Sequence, residues 1–162
     1  MTEQEFEAVY ARQVDRIYKI CCFYLGNDAD AQDAVQNIFI KFYEKKMNFQ
    51  DEQHETAWFL TVTRNHCKDI LRSGWRKRRV DIEKVPEIAV KEREAVRNPR
   101  LERALQNISV KQKEVLYLYY YEEYSIREIS QMLHRKESTI QSQLAAARKK
   151  IKQYYMNQDF LE

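Results

Sequence analysis

Apolar side chains recur along most of this sequence at steps of three and four residues, the spacing of one buried helix face. A first segment ends at Gly26-Asn27, and a second follows for which Asn27 or Asp28 provides an N-cap. A polar stretch from Asn48 to Thr56 precedes the third. The predicted inward positions are Phe6, Val9, Tyr10, Val14, Ile17, Cys21 and Tyr24; Ala31, Ala34, Val35, Ile38, Phe39, Phe42 and Tyr43; and Leu60, Thr63, Cys67, Ile70 and Leu71.

The second half of the chain carries clear helix-start signals. Asn98-Pro99 offers an N-cap followed by Pro at the first helical position. Three capping boxes follow, at Ser109-x-x-Gln112, Ser125-x-x-Glu128 and Ser138-x-x-Gln141. Four helices are therefore predicted, and the last two, joined by a turn at His134-Arg135-Lys136, form a helix-turn-helix pattern.

The surface of the last predicted helix separates two interpretations of that pattern, because a purely structural hairpin has the same apolar spacing. Small polar groups near its start can reach base edges, and cations near its end can meet phosphates. This arrangement favours a DNA-recognition helix. The polar positions are Thr139, Gln141, Ser142 and Gln143, and the cations are Arg148, Lys149, Lys150 and Lys152.

Composition and spacing together predict an all-α fold. The 162 residues include only two Gly and two Pro, too few for the turns of an all-β protein. Residues 73–98 lack sustained periodicity, mix both charges and contain Pro86, which is typical of a tether. We therefore expect two small helical domains, residues 1–75 and 99–162, joined by a flexible charged linker at 76–98.

Charge is segregated along the chain although the net charge is only +3. Residues 1–60 carry 6 basic and 11 acidic groups, whereas residues 61–80 carry 7 basic groups and one acidic group. Residues 135–162 add 6 basic groups against 3 acidic ones. Two basic islands of this kind attract a phosphate backbone, although a solvated face remains an equally valid interpretation of charge alone.

The motifs of enzyme active sites are missing from the sequence. Its three cysteines have no metal-ligand spacing, and it has no Gly-rich phosphate loop, Gly-x-Ser-x-Gly or His-Glu-x-x-His motif. We therefore expect no enzymatic activity, cofactor or metal. The longest apolar run, Val115 to Tyr121, is too short to span a bilayer, and the N-terminus lacks a basic signal region, so we expect a cytoplasmic protein.

Three blocks of sequence, in this order, resemble the sigma-70 family of RNA polymerase sigma factors, in its extracytoplasmic-function group. Asp30 to Phe39 resembles the helix that docks on the polymerase clamp. Trp58-Phe59-Leu60 through Asn65, Asp69 and Arg72 resembles the reader of the minus-ten element. Ser125 to Ile129 through Arg148 resembles the reader of the minus-thirty-five element.

The resemblance implies a role for each block. The second helix would bind the clamp coiled coil of the polymerase's largest subunit, and the polymerase flap would be a further contact. Asn65 would contact a flipped minus-ten base in a pocket completed by the loop from Phe49 to Thr56. The implied polymerase contacts are Asp33, Gln36, Asn37 and Phe39; the minus-ten contacts are Phe49, Trp58, Arg64, Asn65, Lys68 and Arg72; the minus-thirty-five contacts are Arg135, Lys136, Ser138, Thr139, Gln141, Ser142 and Arg148.

One departure from the family concerns the recognition helix. Gln141, Gln143 and Ala146 stand where family members usually carry basic residues. Because Gln pairs bidentately with adenine, an A-containing minus-thirty-five element is one consequence. Whether Trp58 belongs to the core or contacts DNA stays open at this stage.

The resemblance also implies partners: core RNA polymerase, promoter DNA and an anti-sigma factor that could hold the protein at the membrane, with no small-molecule substrate. The main alternative is a helix-turn-helix transcriptional regulator that acts without core polymerase. A nucleic-acid-processing enzyme is a more distant one, since hydrolysis of phosphates requires clustered carboxylates for a metal. The Asp28, Asp30 and Asp33 group instead lies at a helix start whose neighbours indicate a docking face.

Overall fold

The computed structural model describes residues 1–73 and 99–161, and these two ranges belong to two separate compact units. The predicted linker at 76–98 lies outside the described residues. Within the described ranges the structure is helical without strands, so the all-α prediction is confirmed. The helices are α1 (Glu3–Leu25), α2 (Asp28–Lys45), α3 (Glu52–Arg72), α4 (Pro99–Leu105), α5 (Val110–Tyr120), α6 (Ile126–Leu133) and α7 (Glu137–Leu161).

The junction between α1 and α2 is only two residues long. Gly26 ends α1 with φ +76°, a left-handed conformation that Gly adopts without steric cost. Asn27 then caps α2, because its side-chain oxygen accepts the backbone N–H of Asp30 at 2.7 Å. The predicted junction is confirmed, and Asn27 rather than Asp28 is the cap.

Aromatic rings form the core of the first unit, where α1, α2 and α3 pack on one another. Phe42 is 1% exposed, and its ring centroid lies 5.9 Å from that of Phe6 on α1 and 5.2 Å from that of Phe59 on α3. Tyr10 and Tyr43 were predicted to face inward, but they are 43% and 61% exposed. Both rings lie beside Phe6 at the edge of the cluster, because a helix face this wide cannot turn fully into the core.

The third helix begins earlier than the sequence predicted. Asp51 accepts the backbone N–H of His54 at 2.7 Å, so the helix starts at Glu52 and Thr56 lies inside it. Residues 52–56 are therefore not a loop, and only the segment between α2 and Asp51 is available to form one. A polar composition was mistaken here for a loop, although Asp and Glu are favoured in a first helical turn.

Buried polar contacts connect α1 to α3. Glu55 accepts hydrogen bonds from Arg12 at 2.9 and 3.2 Å and from Gln13 at 2.9 Å. Further along the same contact, the sulfur atoms of Cys21 and Cys67 lie 3.9 Å apart in the core. The two thiols share a hydrogen bond across this distance. This hydrogen bond, together with burial, raises the pKa of the Cys21 thiol above its ordinary value.

The second unit contains the predicted helix-turn-helix. Ser109 and Ser125 form the capping boxes of α5 and α6 as predicted. His134 turns the chain with φ 54°, and Ile129, Ile140, Leu144 and Ala147 are buried between the helices. Ser138 is not a cap, because α7 already begins at Glu137. In the part of the chain that the structure describes, no helix is long and apolar enough to cross a membrane.

Replacement of Glu55 tests the contact between α1 and α3. Burial alone raises the pKa of this carboxyl, but the hydrogen bonds from Arg12 and Gln13 and the Arg12 charge outweigh it, so the pKa lies below the ordinary 4.5. Glu55→Gln removes the charge that pairs with Arg12 and should lower the free energy of unfolding at pH 7 by about 1–2 kcal/mol. The loss stays this small because Arg12 is partly exposed and water screens the pair. Urea denaturation followed by circular dichroism measures the loss.

The same replacement gives a pH dependence with a defined sign. A depressed carboxyl pKa stabilises the fold above the unfolded-state value and ceases to do so as the pH falls through the folded-state value. The difference between wild type and Glu55→Gln should therefore shrink between pH 5 and pH 3. Glu44→Gln, at an exposed position on α2, is the control. An equal loss in both variants, or a difference independent of pH, would contradict the assignment.

Candidate nucleic-acid and partner interface

The outer face of α2 carries a polar stripe. Asp33, Gln36 and Asn37 are exposed on it, as the sequence predicted for the face opposite the apolar one. Ile40 continues the stripe one turn further and is 54% exposed. Ile40 was not among the predicted contacts, although its position four residues after Gln36 places it on this face.

Phe39 does not belong to that exposed stripe. Its side chain is 4% exposed, and its ring lies 4.7 Å from Tyr10 and 5.4 Å from Phe59 between ring centroids. The prediction that Phe39 contacts a partner is therefore wrong for this conformation. The apolar spacing had also predicted that Phe39 faces the core. One side chain cannot face both the core, as Phe42 does, and the exposed stripe, as Gln36 does.

Cations follow one face of α3 at steps of four residues. Arg64 and Lys68 are half-buried on this face, and Arg72 is exposed at its end. Asn65 lies beside them and is exposed and uncharged. The helix therefore presents a row of positive charge next to a single amide, which suits contact with a backbone alongside contact with a base.

Trp58 is half-buried, which addresses the question left open by the sequence. One part of its ring packs on the aromatic core, with centroid distances of 4.9 Å to Phe59 and 5.9 Å to Phe42. Phe49 lies 5.8 Å from it and is also half-buried. A cavity of about 480 Å³ opens beside Phe49, and its lining includes Arg12. Trp58 is thus a core residue with an accessible part.

The structure places Asn65 and the loop before α3 at different levels of the helix. Asn65 is thirteen residues after Glu52, which corresponds to roughly 20 Å at 1.5 Å per residue. Phe49 stays near the helix start, 5.5 Å from the ring of His54. One base pocket formed by both was expected, and this separation argues against it. Trp58 and Asn65 share a face and lie about 10 Å apart along the axis.

The front of α7 is polar and exposed. After Glu137, the exposed residues of its first two turns are uncharged: Ser138, Thr139, Gln141 and Ser142. Most of the exposed cations come two to four turns later, where the backbone of a nucleic acid can be met. Arg148 lies 5.4 Å from the ring centroids of both Tyr119 and Tyr120, so these tyrosines hold its guanidinium. Lys136, in the turn just before this helix, is exposed as well.

Arg135 is the exception among the residues predicted to contact DNA. Its side chain is 16% exposed and pairs with Glu114, which is 1% exposed, at 3.2 Å. It also donates a hydrogen bond to Gln143 at 3.1 Å. This pairing argues against the predicted minus-thirty-five contact of Arg135. A buried carboxylate attracts the nearest cation inward, because an unpaired charge in the interior is costly.

A shallow cleft of about 310 Å³ lies between the start of α5 and the front of α7. Gln112 and Gln143 line it. Gln143 is one of the polar positions that the sequence predicted to reach base edges, whereas Gln112 was not predicted. Gln112 has no comparable signal, because it comes from a distant helix. The other lining residues are Ser138, Thr139, Ser142 and Ala146.

The acidic cluster at the start of α2 takes part in local hydrogen bonds. Asp28 accepts from Tyr18 and from Gln32, and Asp30 accepts from the cap residue Asn27. Among residues 1–73 and 99–161, no group of three or more His, Cys, Asp and Glu side chains is arranged to hold a metal ion. These carboxylates therefore stabilise the beginning of the helix, where negative charge is favoured.

Comparison with known protein families matches both units. Residues 9–77 match Sigma-70 region 2, and residues 99–151 match Sigma-70 region 4. The ECF RNA polymerase sigma factor SigM of Mycobacterium tuberculosis is 23% identical over 146 residues, which cover 90% of this chain and 74% of SigM. The ECF RNA polymerase sigma factor SigE of Mycolicibacterium smegmatis is 29% identical over 82 residues, 51% of this chain and 30% of SigE.

A solved structure has a similar fold. The sigma factor RpoE of Bartonella quintana, crystallised with the anti-sigma factor NepR, matches with a TM-score of 0.63 at 17% identity. The match covers 94% of this chain and 98% of that one.

Removal of Arg135 tests its structural assignment. Arg135→Ala leaves Glu114 buried without this partner, so we expect the free energy of unfolding to fall by about 3 kcal/mol. Lys136→Ala, at the exposed neighbouring position, should change it by less than about 0.5 kcal/mol. Urea denaturation of the full chain compares the two. Equal, small changes in both variants would show that Arg135 is a surface cation.

Proposed function

Because this chain belongs to the sigma-70 family, in its extracytoplasmic-function group, we propose that its two units divide polymerase docking and promoter reading between them. Residues 1–75 dock on core polymerase and recognise the minus-ten element, and residues 99–162 recognise the minus-thirty-five element. Residues 76–98 connect the two. The observation that carries this proposal is α7, the second helix of the helix-turn-helix, because its polar front and its cationic end are both exposed.

The polymerase contact lies on the outer face of α2. Asp33, Gln36 and Asn37 bind the clamp coiled coil of the largest subunit, and Ile40 adds an exposed apolar side chain to the contact. Apolar anchors surrounded by polar groups are typical of protein interfaces. The flap of the polymerase contacts the second unit. Phe39 supports this surface from beneath and does not touch the partner.

The minus-ten contact lies on α3. Asn65 reads a base edge, while Arg64, Lys68 and Arg72 contact the backbone. The accessible part of Trp58 stacks on a base of the opened strand, because an indole ring stacks on any base. Since about 10 Å separates Trp58 from Asn65, the two contact different nucleotides. Phe49 supports Trp58 and borders the cavity at the start of the helix.

The minus-thirty-five contact lies on α7. Ser138, Thr139, Gln141 and Ser142 face the base edges of the major groove, and Gln141 is placed to pair with adenine. Lys136 and Arg148 contact phosphates on either side. The proposal includes no enzymatic step, since promoter recognition needs binding and strand separation only. A regulator that acts without polymerase is not favoured, because the first unit also matches the sigma-70 family.

An anti-sigma protein is the remaining partner that we propose. The solved sigma factor of similar fold was crystallised with one, which supports the proposal. Such a protein covers the DNA-contacting surfaces, and a membrane-bound one keeps this factor at the inner face of the membrane while the factor itself works in the cytoplasm. Transcription from a defined promoter by purified chain and core polymerase tests the function as a whole.

Two substitutions on α2 test polymerase docking. Asp33→Arg combined with Gln36→Ala reverses a charge and removes an amide on the exposed stripe, so capture of core polymerase should weaken at least tenfold while the fold is kept. Co-purification with core polymerase measures this. Gln53→Ala, an exposed glutamine on α3, is the control. Unchanged capture by the double variant would refute the assigned surface.

A second pair of substitutions separates position from sequence on α3. Arg72→Ala should lower binding to all promoters by a similar factor and reduce the salt dependence by about one phosphate contact. Asn65→Ala should relax preference at one minus-ten base, at a discrimination cost of about 1–3 kcal/mol. A promoter library randomised at both elements and transcribed at two salt concentrations gives both readouts. If both variants caused the same uniform loss, Asn65 would not read a base.

A further inference from the structure

The side chain of Gln143 is held in one orientation by Arg135. A guanidinium only donates hydrogen bonds, so the atom that it meets at 3.1 Å is the amide oxygen of Gln143. Arg135 is fixed in turn by buried Glu114 at 3.2 Å. The amide cannot rotate by 180° without placing its NH2 group against a cation. Its NH2 group is therefore directed away from Arg135.

The surroundings of Gln143 point to a base edge as its contact. It is half-buried and lines the cleft of about 310 Å³ between α5 and the front of α7. All residues that line this cleft are uncharged. A cleft without a cation has no charge to attract a phosphate, while amides and hydroxyls can hydrogen-bond base edges in the major groove. Thr139 and Ser142, beside Gln143 in the cleft, are exposed on the front of the helix that reads DNA.

We propose that Gln143 is a specificity-determining residue that acts as a hydrogen-bond donor to one base of the minus-thirty-five element. This inference rests on the proposed function of α7. In the major groove, guanine, adenine and thymine each present an acceptor, whereas cytosine presents only the donor N4. A glutamine that is held as a donor therefore discriminates against cytosine at one position. A glutamine whose amide is free to rotate can also turn its oxygen toward the base and accept a hydrogen bond from cytosine N4.

Arg135 acts in this scheme as a positioning residue. It touches no base, and its contribution is to keep the oxygen of Gln143 turned inward. Gln141, exposed on the same helix, has no such partner within the described residues, so either of its amide atoms can face a base. The two glutamines thus read differently, although they are chemically identical.

The test compares four proteins in transcription with core polymerase: wild type, Gln143→Ala, Gln143→Glu and Gln153→Ala. Promoters are randomised at the minus-thirty-five element. Wild type should use cytosine about tenfold less than the other bases at one position. Gln143→Ala should lose this discrimination at that position alone. Gln143→Glu should reverse it, because a carboxylate still accepts from Arg135 and also accepts from cytosine N4. Gln153→Ala, exposed later on α7, should match wild type.

A fifth protein tests the role of Arg135. Glu114→Gln combined with Arg135→Met removes the tether without leaving a buried charge unpaired, and circular dichroism establishes that the variant folds. It should lose discrimination against cytosine while keeping preferences at other positions. A purely structural role would lower activity on all promoters and leave every preference unchanged, and this result would refute the positioning role. The Gln143→Glu result decides the donor assignment whether or not the double variant folds.

The remaining outcomes separate this inference from the proposed function. If wild type shows a minus-thirty-five preference that no Gln143 variant alters, the inference is wrong and the proposed function stands. If Gln143→Ala lowers activity equally on all sequences, Gln143 does not read a base and the inference is again wrong. If wild type shows no preference within the minus-thirty-five element, the proposed role of α7 fails, and the inference fails with it.

Discussion

The burial of Phe42 determines how the first unit presents its surfaces. Its ring contacts α1 through Phe6 and α3 through Phe59, so the three helices share one aromatic core. Because α2 turns this side inward, its opposite side, with Asp33 and Gln36, must face outward. The same core fixes the rotation of α3, which leaves its cationic side at the surface. The surfaces proposed for polymerase docking and for DNA contact are thus two consequences of a single packing arrangement.

The second unit uses an ion pair for a comparable purpose. Glu114 on α5 is almost fully buried, and Arg135 in the turn between α6 and α7 neutralises it. An apolar core fixes how deep a helix lies, but a hydrogen-bonded pair also fixes a direction, because donors and acceptors must align. This protein, a sigma-70 factor that directs RNA polymerase to promoters, has this directional contact next to the helix that we propose faces DNA.

Features that depend on neighbouring residues in sequence were predictable. The Gly26-Asn27 junction, the capping boxes at Ser109 and Ser125 and the helix-turn-helix all follow from local backbone chemistry. Features that depend on distant partners were not. Arg135 was taken for a surface cation, because nothing near it in the sequence indicates Glu114. Phe39 was assigned two incompatible roles, since periodicity gives a helix face but not its partner. The cleft at Gln112 requires two helices that only the folded chain brings together.

The short connection at Gly26 also determines which sequence changes this fold accepts. A side chain placed there meets no atom within 4 Å, so space does not limit the position. The left-handed backbone does, because most residues other than Gly adopt it at a steric cost, Asn, Asp and His least so. Natural variation at this position should consequently be narrow for a reason unrelated to packing or to DNA. An invariant glycine in related chains would reflect the backbone geometry of the two-residue junction between α1 and α2, and it would carry no information about promoters.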